Sequence, residues 1–354
     1  MPAEWEPHAA TWLVWPQNAT DWPGKFAPIP WVYADIVRHL SRHETVHLVV
    51  DNATVEARAR RVLNRTGIPT PSPFQGEGWG EVSEDYPRVI FHQWPTNRGW
   101  TRDSGPIFVK NGDTVDVTNW GFNAWAKYDD WPLDNELPGH IAAALSLHQW
   151  CPEIDGRRLI LEGGSIDVNG AGLMLTTEEC LLSEIQWRNP GIDRPQLETA
   201  FRDYLGVQKV IWLDRGIVGD DTHGHVDDIT RFVSVDTVVT AVEPDTADPN
   251  HEILAENLHR LRAATDLDGR LLNIVELPMP APVIFNGQRV PASYANFYIA
   301  NGVVLVPTFN DPKDRTALDI LSRLFPTREV IGIHSRDLIW GLGALHCMTQ
   351  QQPA

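Results

Sequence analysis

Residues 106–117 have the sequence PIFVKNGDTVDV, in which apolar and polar residues alternate around Asn111-Gly112. An Asn-Gly pair between two such strands is the strongest short-range signature of a β-hairpin. The pattern recurs in residues 165–176, SIDVNGAGLMLT, and in residues 296–307, NFYIANGVVLVP. A fourth hairpin, turning near Asp236, is predicted for residues 229–241, ITRFVSVDTVVTA. Hairpins therefore recur along most of the chain.

A helix and a strand are predicted after each hairpin. Apolar residues at the helical period indicate helices over Ile141–Leu147, Leu197–Leu205, Ile253–Leu261 and Ala317–Phe325. Apolar runs after these helices indicate strands over Leu159–Leu161, Val210–Leu213, Leu271–Val275 and Val330–Ile333. This unit returns about every 60 to 70 residues without an intervening linker, which is typical of a repeat architecture. We therefore expect one closed α/β domain spanning residues 1–354.

The segment before the first hairpin has less regular patterns. Its periodicity predicts helices over Trp31–Leu40 and Val55–Leu63 and strands over Val46–Val50 and Arg88–Phe91. The opening stretch is crowded with tryptophan and proline, and we expect it to be a loop that packs over the rest of the protein. Residues 71–86 are rich in Gly, Pro and Glu and predict a surface loop.

Composition limits the possible partners. The chain has 354 residues, 42% of them hydrophobic, and a net charge of −18 from 29 basic and 47 acidic residues. This acidity disfavours nucleic acids and anionic membranes, and it favours a small cationic substrate. No apolar run is long enough to span a membrane, and the N-terminus lacks the features of an export signal. The three cysteines form no paired pattern, which favours a reducing, cytoplasmic setting.

Residues 219–228, GDDTHGHVDD, concentrate ionisable groups between two strand-like segments. Burial of so much unpaired charge in a core strand would be too costly. Two interpretations remain at this point. His223, His225 and Asp227 could hold a divalent metal ion, or the stretch could bind a cation and transfer protons without a metal.

Polar residues also precede the other hairpins at equivalent positions. They are Asp103 in WTRDSGP, Glu162 in LEGGS, Asn296 in SYAN, and Cys347 in GLGALHCMT where a fifth hairpin would begin. If the modules circle an axis, these residues and His225 converge on one site. The glycines of Gly163-Gly164 suggest close approach of the backbone. Cys151 and Cys180 are interpreted as ordinary core cysteines.

The residue types in this set predict a specific chemistry. A thiolate is a strong nucleophile, and a histidine can transfer protons. Paired carboxylates suit a guanidinium group, which donates parallel hydrogen bonds in a fixed geometry. We therefore predict attack of Cys347 on a guanidinium carbon held by Asp103 and Asp227. His225 would protonate the departing ammonia, and Glu162 would hydrogen-bond to His225.

These residues lie in motifs that resemble those of the agmatine deiminases, members of the guanidine-modifying superfamily that also includes bacterial peptidylarginine deiminase. The matching motifs are MPAEWEPHAATWLVWP, WTRDSGPIFV, LEGGSIDVNG, GHVDD, SYANFYIANGVVLVP and GALHCMTQQQP, spread over nearly the whole chain. The resemblance implies a pentein fold, a five-bladed α/β propeller of ββαβ modules with fivefold pseudosymmetry. It implies hydrolysis of agmatine to N-carbamoylputrescine and ammonia in putrescine synthesis, without a metal or an organic cofactor. A homodimer is compatible with it.

The resemblance carries over to particular positions. Cys347 matches the nucleophile, His225 the acid–base group, Asp103 and Asp227 the guanidinium ligands, and Glu162 the support of the histidine. Trp100, Asp221 and Asn296 are predicted to line the substrate site. Arg98, near the expected mouth of the site, leaves free arginine or a C-terminal peptidyl arginine open as alternative substrates. A metal-dependent amidohydrolase and a non-catalytic guanidine-binding protein are the competing hypotheses.

Overall fold

The computed structural model describes residues 1–67 and 88–354, so the loop predicted for residues 71–86 lies outside the described residues. The fold is mixed α/β. Within the described ranges, no helix is long and apolar enough to cross a membrane.

The elements are named in chain order. The strands are β1 His8–Val14, β2 Thr45–Val50, β3 Val89–Gln93, β4 Ile107–Asn111, β5 Thr114–Thr118, β6 Gln149–Trp150, β7 Glu153–Ile154, β8 Arg157–Arg158, β9 Asp167–Val168, β10 Leu173–Thr177, β11 Lys209–Leu213, β12 Thr230–Phe232, β13 Thr237–Val242, β14 Asn273–Pro278, β15 Ile284–Phe285, β16 Gln288–Arg289, β17 Tyr298–Ile299, β18 Val303–Thr308, β19 Glu329–His334 and β20 Thr349–Pro353. The helices are α1 Ile29–Leu40, α2 Ala53–Arg65, α3 Thr101–Ser104, α4 Leu137–Leu145, α5 Glu178–Leu182, α6 Arg194–Leu205, α7 Asn250–Ala263, α8 Lys313–Leu324 and α9 Leu345–Met348.

Four modules have the same topology, and the predicted hairpins are confirmed in all of them. Their sheets have the strand orders β4-β5-β6, β9-β10-β11, β12-β13-β14 and β17-β18-β19. In each sheet the middle strand pairs antiparallel with the first strand and parallel with the strand that follows the helix. The loop that enters each hairpin therefore occupies an equivalent position in every module.

The Asn-Gly turns need glycine for two different reasons. Gly112 and Gly170 have φ values of 59° and 71°, in the left-handed region that favours glycine. Gly302 is required by close packing instead, because a Cβ atom there would lie 2.1 Å from Nδ1 of His43. The same dipeptide thus marks a turn in one place and a close contact in another.

A further sheet is built from both ends of the chain, and here the sequence prediction was wrong. The opening stretch was expected to be a loop, but His8–Val14 forms the strand β1. β1 lies between β20 and β2, antiparallel to the former and parallel to the latter, and β3 extends the sheet. The partner strand β20 lies more than three hundred residues away, so local sequence could not reveal the pairing.

The third strand of the first module was also assigned to the wrong residues. Leu159–Leu161 was expected to pair with β5, but Gln149–Trp150 does so. The helix α4 ends at Ser146 in a left-handed conformation with φ 55°, which turns the chain back so that His148 O accepts from Val117 N at 2.9 Å. The Leu159–Leu161 segment is buried beside Gly121, joined by a single bridge.

We expect replacement of Leu13 by alanine to lower the free energy of unfolding by about 2–5 kcal/mol, because it removes a buried side chain from β1. The matched control is Leu271→Ala, at a leucine that is 66% exposed, where the change should stay within about 0.5 kcal/mol. Urea denaturation of both variants measures the difference. Equal losses in the two variants would show that β1 is not part of the cooperative core.

Candidate active site

Short helical turns immediately before the hairpins carry the site residues. Asp103 lies in α3, and Cys347 lies in α9. Glu162 and His225 are the N-terminal flanking residues of the 3₁₀ turns Gly163–Ser165 and Val226–Asp228. The side chains are buried, with Glu162 and His225 0% exposed and Cys347 4% exposed. The repeated module geometry thus brings together residues from distant parts of the sequence.

Gly164 allows this convergence. A Cβ atom at Gly164 would lie 2.6 Å from His225 Nδ1, 2.7 Å from Asp103 Oδ1 and 3.1 Å from Asp227 Oδ2. Its backbone N–H instead donates to Asp103 Oδ1 at 3.2 Å. The close backbone approach suggested by Gly163-Gly164 is present in the structure, and it places the histidine and both aspartates around one glycine.

His225 lies between two carboxylates without a direct hydrogen bond to either. Its Nδ1 is 3.7 Å from Asp103 Oδ1, and its Nε2 is 3.8 Å from Glu162 Oε2. Both ring nitrogens are buried without a hydrogen-bond partner, so the hydrogen bond expected from Glu162 is replaced by a charge contact. Burial lowers the pKa of His225, but Asp103 above all, with Cys180 and Glu162, raises it well above its ordinary value. The ring is therefore an imidazolium at neutral pH.

Arg188, which the sequence reasoning missed, holds Glu162 in its ionised form. The Nε of Arg188 donates to Glu162 Oε1 at 3.1 Å, and both side chains are fully buried. Burial alone would raise the pKa of Glu162, but Arg188 and then His225 bring it down to about 2. No local motif indicated this arginine, because its role depends on a partner in another loop.

The thiol of Cys347 lies in an excess of negative charge. Asn296 Nδ2 donates to Sγ at 3.1 Å, and Asn296 Oδ1 accepts from His346 N at 3.0 Å. Asp227 Oδ2 is 3.7 Å from Sγ. Burial first, and then Asp227, Asp228 and Asp103, raise the pKa of the Cys347 thiol well above its ordinary value. The thiol therefore stays protonated until a positive charge enters the site.

The pKa of Asp103 is also shifted by its surroundings. Burial, with Asp227 and Glu162 adding, raises the pKa of Asp103 to about 7, although His225 opposes the shift. The Nε1 of Trp125 donates to Asp103 Oδ2 at 2.9 Å. Ala124, Trp125 and Ala126 have φ values of 48°, 59° and 53°, a left-handed run that costs non-glycine residues about 1–3 kcal/mol each. This strained loop holds the indole over Asp103.

A cavity of about 330 Å³ opens above Cys347 and Asp103. Of the predicted lining residues, Trp100 and Asp221 do line it, whereas Asn296 does not and contacts the sulfur instead. The wall also contains residues that the sequence reasoning did not identify, among them Trp125, Tyr128 and Asp21. The cavity is therefore aromatic along its sides and acidic at both ends.

Arg98 lies at the mouth of the cavity but is already paired. Its Nη1 donates to Asp21 Oδ1 at 2.6 Å, and its Nη2 donates to Asp130 Oδ1 at 2.8 Å. The guanidinium also stacks on Tyr128, 4.3 Å from the ring centroid. Asp221 accepts from Lys127 at 2.5 Å and from Tyr128 at 2.7 Å. Neither cation at the mouth is free of a carboxylate.

The metal site considered for His223, His225 and Asp227 is not assembled. His223 lies in a left-handed turn with φ 64°, and its Nε2 is 3.2 Å from Ser183 Oγ. Within residues 1–67 and 88–354, the one group of three potential ligands within 4.8 Å of one another is Glu162, Cys180 and His225. The guanidinium of Arg188 on Glu162 opposes a cation there. Cys180, interpreted from sequence as an ordinary core cysteine, is buried as expected but is a neighbour of His225.

The fold consists of repeated α/β modules, and its site holds a buried thiol beside an imidazolium and several carboxylates. Comparison with family models shows which class of protein has this combination. The model of the family described as Porphyromonas-type peptidyl-arginine deiminase matches residues 1–353. The chain belongs to this family.

Named relatives agree with this assignment over the full length. The chain is 36% identical to an agmatine deiminase of Pseudomonas syringae pv. syringae, covering 100% of this chain and 95% of that protein. It superposes on an agmatine deiminase of Enterococcus faecalis with a TM-score of 0.87 and 30% identity, covering 100% of this chain and 95% of the other. A C. jejuni agmatine deiminase with substrate bound gives a TM-score of 0.84 and 27% identity, covering 100% of this chain and 96% of the other.

We expect iodoacetamide to alkylate Cys347 slowly near neutral pH and about tenfold faster with each pH unit above it, because only the thiolate reacts. The raised thiol pKa puts this increase in the alkaline range. Mass spectrometry of each cysteine measures the rates, and the exposed Cys151 reports reagent reactivity in the same sample. A Cys347 rate that is already constant below about pH 8 would contradict a protonated thiol.

Proposed function

We propose that this protein is an agmatine deiminase that hydrolyses agmatine to N-carbamoylputrescine and ammonia through a cysteine thiouronium intermediate, as a step in putrescine synthesis. One observation carries the proposal. The buried thiol of Cys347 and the carboxylate of Asp103 line a cavity, and the His225 ring and the carboxylates of Glu162 and Asp227 are buried next to them. The names of the full-length relatives support the choice of substrate.

Asp103 and Asp227 bind the guanidinium group in this mechanism. Asp227 Oδ1 is buried and has no hydrogen-bond partner, so it is available to a substrate N–H group. The substrate charge offsets the aspartates that hold the Cys347 proton, and the thiol then releases this proton to solvent and becomes the thiolate. Binding of the correct cation therefore produces the nucleophile.

The chemistry proceeds in two halves. Sγ attacks the guanidinium carbon and forms a C–S bond, while a π electron pair moves to nitrogen. His225 donates a proton to the departing nitrogen, the C–N bond breaks, and ammonia leaves a thiouronium on Cys347. Water then loses a proton to His225 and attacks the same carbon. Collapse of this adduct breaks the C–S bond, the proton of the new hydroxyl group passes to the leaving sulfur, and the ureido product leaves with the Cys347 thiol regenerated.

Glu162 and Asn296 hold the two reacting side chains, His225 and Cys347. Glu162, ionised by its pairing with Arg188, stabilises the imidazolium of His225. Asn296 orients Sγ through its amide. Trp100 and Asp221 line the path of the substrate chain, and Asp221 lies at the end where the agmatine ammonium group would bind.

The proposal includes the arrangement of the modules. We propose that the five sheets circle one axis as a five-bladed α/β propeller, which residues 1–354 form as a single domain. The shared strand order of the modules and the sheet formed by β20 and β1 support this arrangement. Entry loops of all five modules would then face the same central site.

Purified protein should release ammonia from agmatine, with and without a chelator, and Cys347→Ala should lose this activity by several orders of magnitude. The matched control is Cys151→Ala, at an exposed cysteine, which should keep full activity. An active Cys347→Ala protein would eliminate the thiol mechanism. Loss of wild-type activity with the chelator would favour the metal-dependent amidohydrolase, and binding without turnover would favour the guanidine-binding protein.

The charges at the cavity mouth predict a preference for agmatine over arginine. Three carboxylates there, Asp21, Asp130 and Asp221, are paired with only two cations, Arg98 and Lys127, so a substrate carboxylate would meet an excess of negative charge. We expect kcat/KM for agmatine to exceed that for free arginine and for a C-terminal peptidyl arginine by at least about tenfold. Asp221→Asn should reduce the preference, while Asp129→Asn, at an exposed residue of the loop that carries Lys127 and Tyr128, should not. Equal or better use of arginine would favour the alternative substrates.

A further inference from the structure

Glu4 of the N-terminal segment lies in contact with the residue that precedes the nucleophile. Its Oε2 is 2.7 Å from Nε2 of His346, and Glu4 is only 6% exposed. Nδ1 of the same ring is 2.6 Å from Asp227 Oδ2. His346 thus bridges the carboxylates of Glu4 and Asp227 in a buried position.

The geometry defines the direction of both hydrogen bonds in this bridge. An ionised carboxylate only accepts hydrogen bonds, so both ring nitrogens of His346 must donate. His346 thus donates one hydrogen bond to each of the two carboxylates. Burial raises the pKa of Asp227, but His346 first and then His225 outweigh it and keep the pKa low. Arg231, His346 and Arg102 likewise overcome burial and keep the pKa of Glu4 well below its ordinary value.

The bridge uses one oxygen of Asp227 and leaves the other unused. Oδ2 is bound by His346, while Oδ1 is buried without a partner. A carboxylate with one oxygen bound can no longer rotate freely, so the unused oxygen has a defined direction. Oδ2 is also the oxygen 3.7 Å from the Cys347 sulfur, so His346 offsets the charge nearest to the thiol.

Glu4 is held firmly enough to orient the histidine. Its Oε1 accepts from Ile299 N at 2.8 Å, and its Oε2 lies 3.2 Å from Arg102 Nη2 and 3.0 Å from Arg231 Nη2. Arg231 in turn donates to Asp167 Oδ2. These contacts join the first residues of the chain to all four modules, the one that contains Asp167 being reached through Arg231.

We propose that His346 is a positioning residue for the reaction, and that Glu4 acts through it to hold Asp227 in the orientation that binds the substrate guanidinium. This inference rests on the proposed function of Asp227 as a guanidinium ligand. Sequence reasoning missed Glu4 because it lies outside the repeated loops, and it missed His346, which stands beside Cys347, because its role depends on contacts with the distant Glu4 and Asp227.

His346→Gln tests the proposal, because glutamine keeps a hydrogen-bond donor but removes the charge. We expect KM for agmatine to rise roughly 10- to 100-fold, with a smaller change in kcat, since a charge-assisted hydrogen bond is lost. In the pH profile of kcat/KM, the fall in activity on the acid side should move to higher pH, because Asp227 loses the cation that keeps it ionised. We call this fall the acid limb. The charged and titratable groups around Asp227 are His346, His225, Arg231, Asp103, Asp228 and Cys347.

His8→Gln is the matched control. His8 is also a buried histidine, bonded to Glu44 and to the backbone oxygen of Glu4, but it does not contact Asp227. It should lower the melting temperature without changing KM or the acid limb. Glu4→Gln should change KM and the acid limb in the same direction as His346→Gln, by a smaller factor.

The outcomes separate this inference from the proposed function. Suppose that the wild type is active and that His346→Gln is only less stable, with KM and the acid limb of the pH profile unchanged. This result overturns the positioning role alone. Wild type that neither binds nor deiminates agmatine ends both proposals. Wild type that binds without turnover ends only the proposed function. In that case ¹³C NMR of the aspartate carboxyls decides the positioning role, because the Asp227 titration must shift to higher pH in His346→Gln.

Discussion

Three buried carboxylates lie close to the reactive histidine and thiol, and the protein compensates their charges unequally. Removal of an ion from water costs several kcal/mol unless a partner offsets it. Glu162 has the Arg188 guanidinium at 3.1 Å, and Asp227 has the His346 imidazole at 2.6 Å. Asp103 has only the more distant His225. The site is thus short of positive charge at the position where a cationic substrate would bind, and long-range attraction by an acidic chain adds to this local deficit.

The modules supply the rigidity that such a charge arrangement requires. Asp103, Glu162 and His225 lie in or beside short turns directly before hairpins, and Cys347 lies in α9 directly before β20. The paired strands fix the position of each turn. His225 and Asp103 pack so closely on Gly164 that a side chain at this position could not be accommodated. The strained backbone at Trp125 is maintained by packing against neighbouring aromatic rings and by its bond to Asp103. The buried charges and the strained backbone therefore persist, because many contacts would have to break before either could relax.

Local patterns were sufficient to predict the hairpins, most helices and the convergence of Asp103, Glu162, His225 and Cys347. They succeeded because turn chemistry and hydrophobic period act over a few residues, and because the modules repeat. The errors have a common cause in partners that lie far away in sequence. β1 is a strand because β20 and β2 flank it, Gln149–Trp150 is a strand because α4 ends early, and Arg188 matters because Glu162 lies beside it. No window of local sequence contains this information.

The sheet that joins the two ends of the chain has a consequence for the order of folding. Leu13 lies opposite Thr349, so this pairing closes one of the longest loops the chain can make. Pairings between distant residues form slowly, because chain entropy must be lost before any contact is gained. Thr349 begins β20 directly after α9, and its hydroxyl donates to Leu345 O at 2.9 Å. We therefore expect this sheet to form late in folding, and partly folded molecules to carry the Cys347 thiol before its site is assembled.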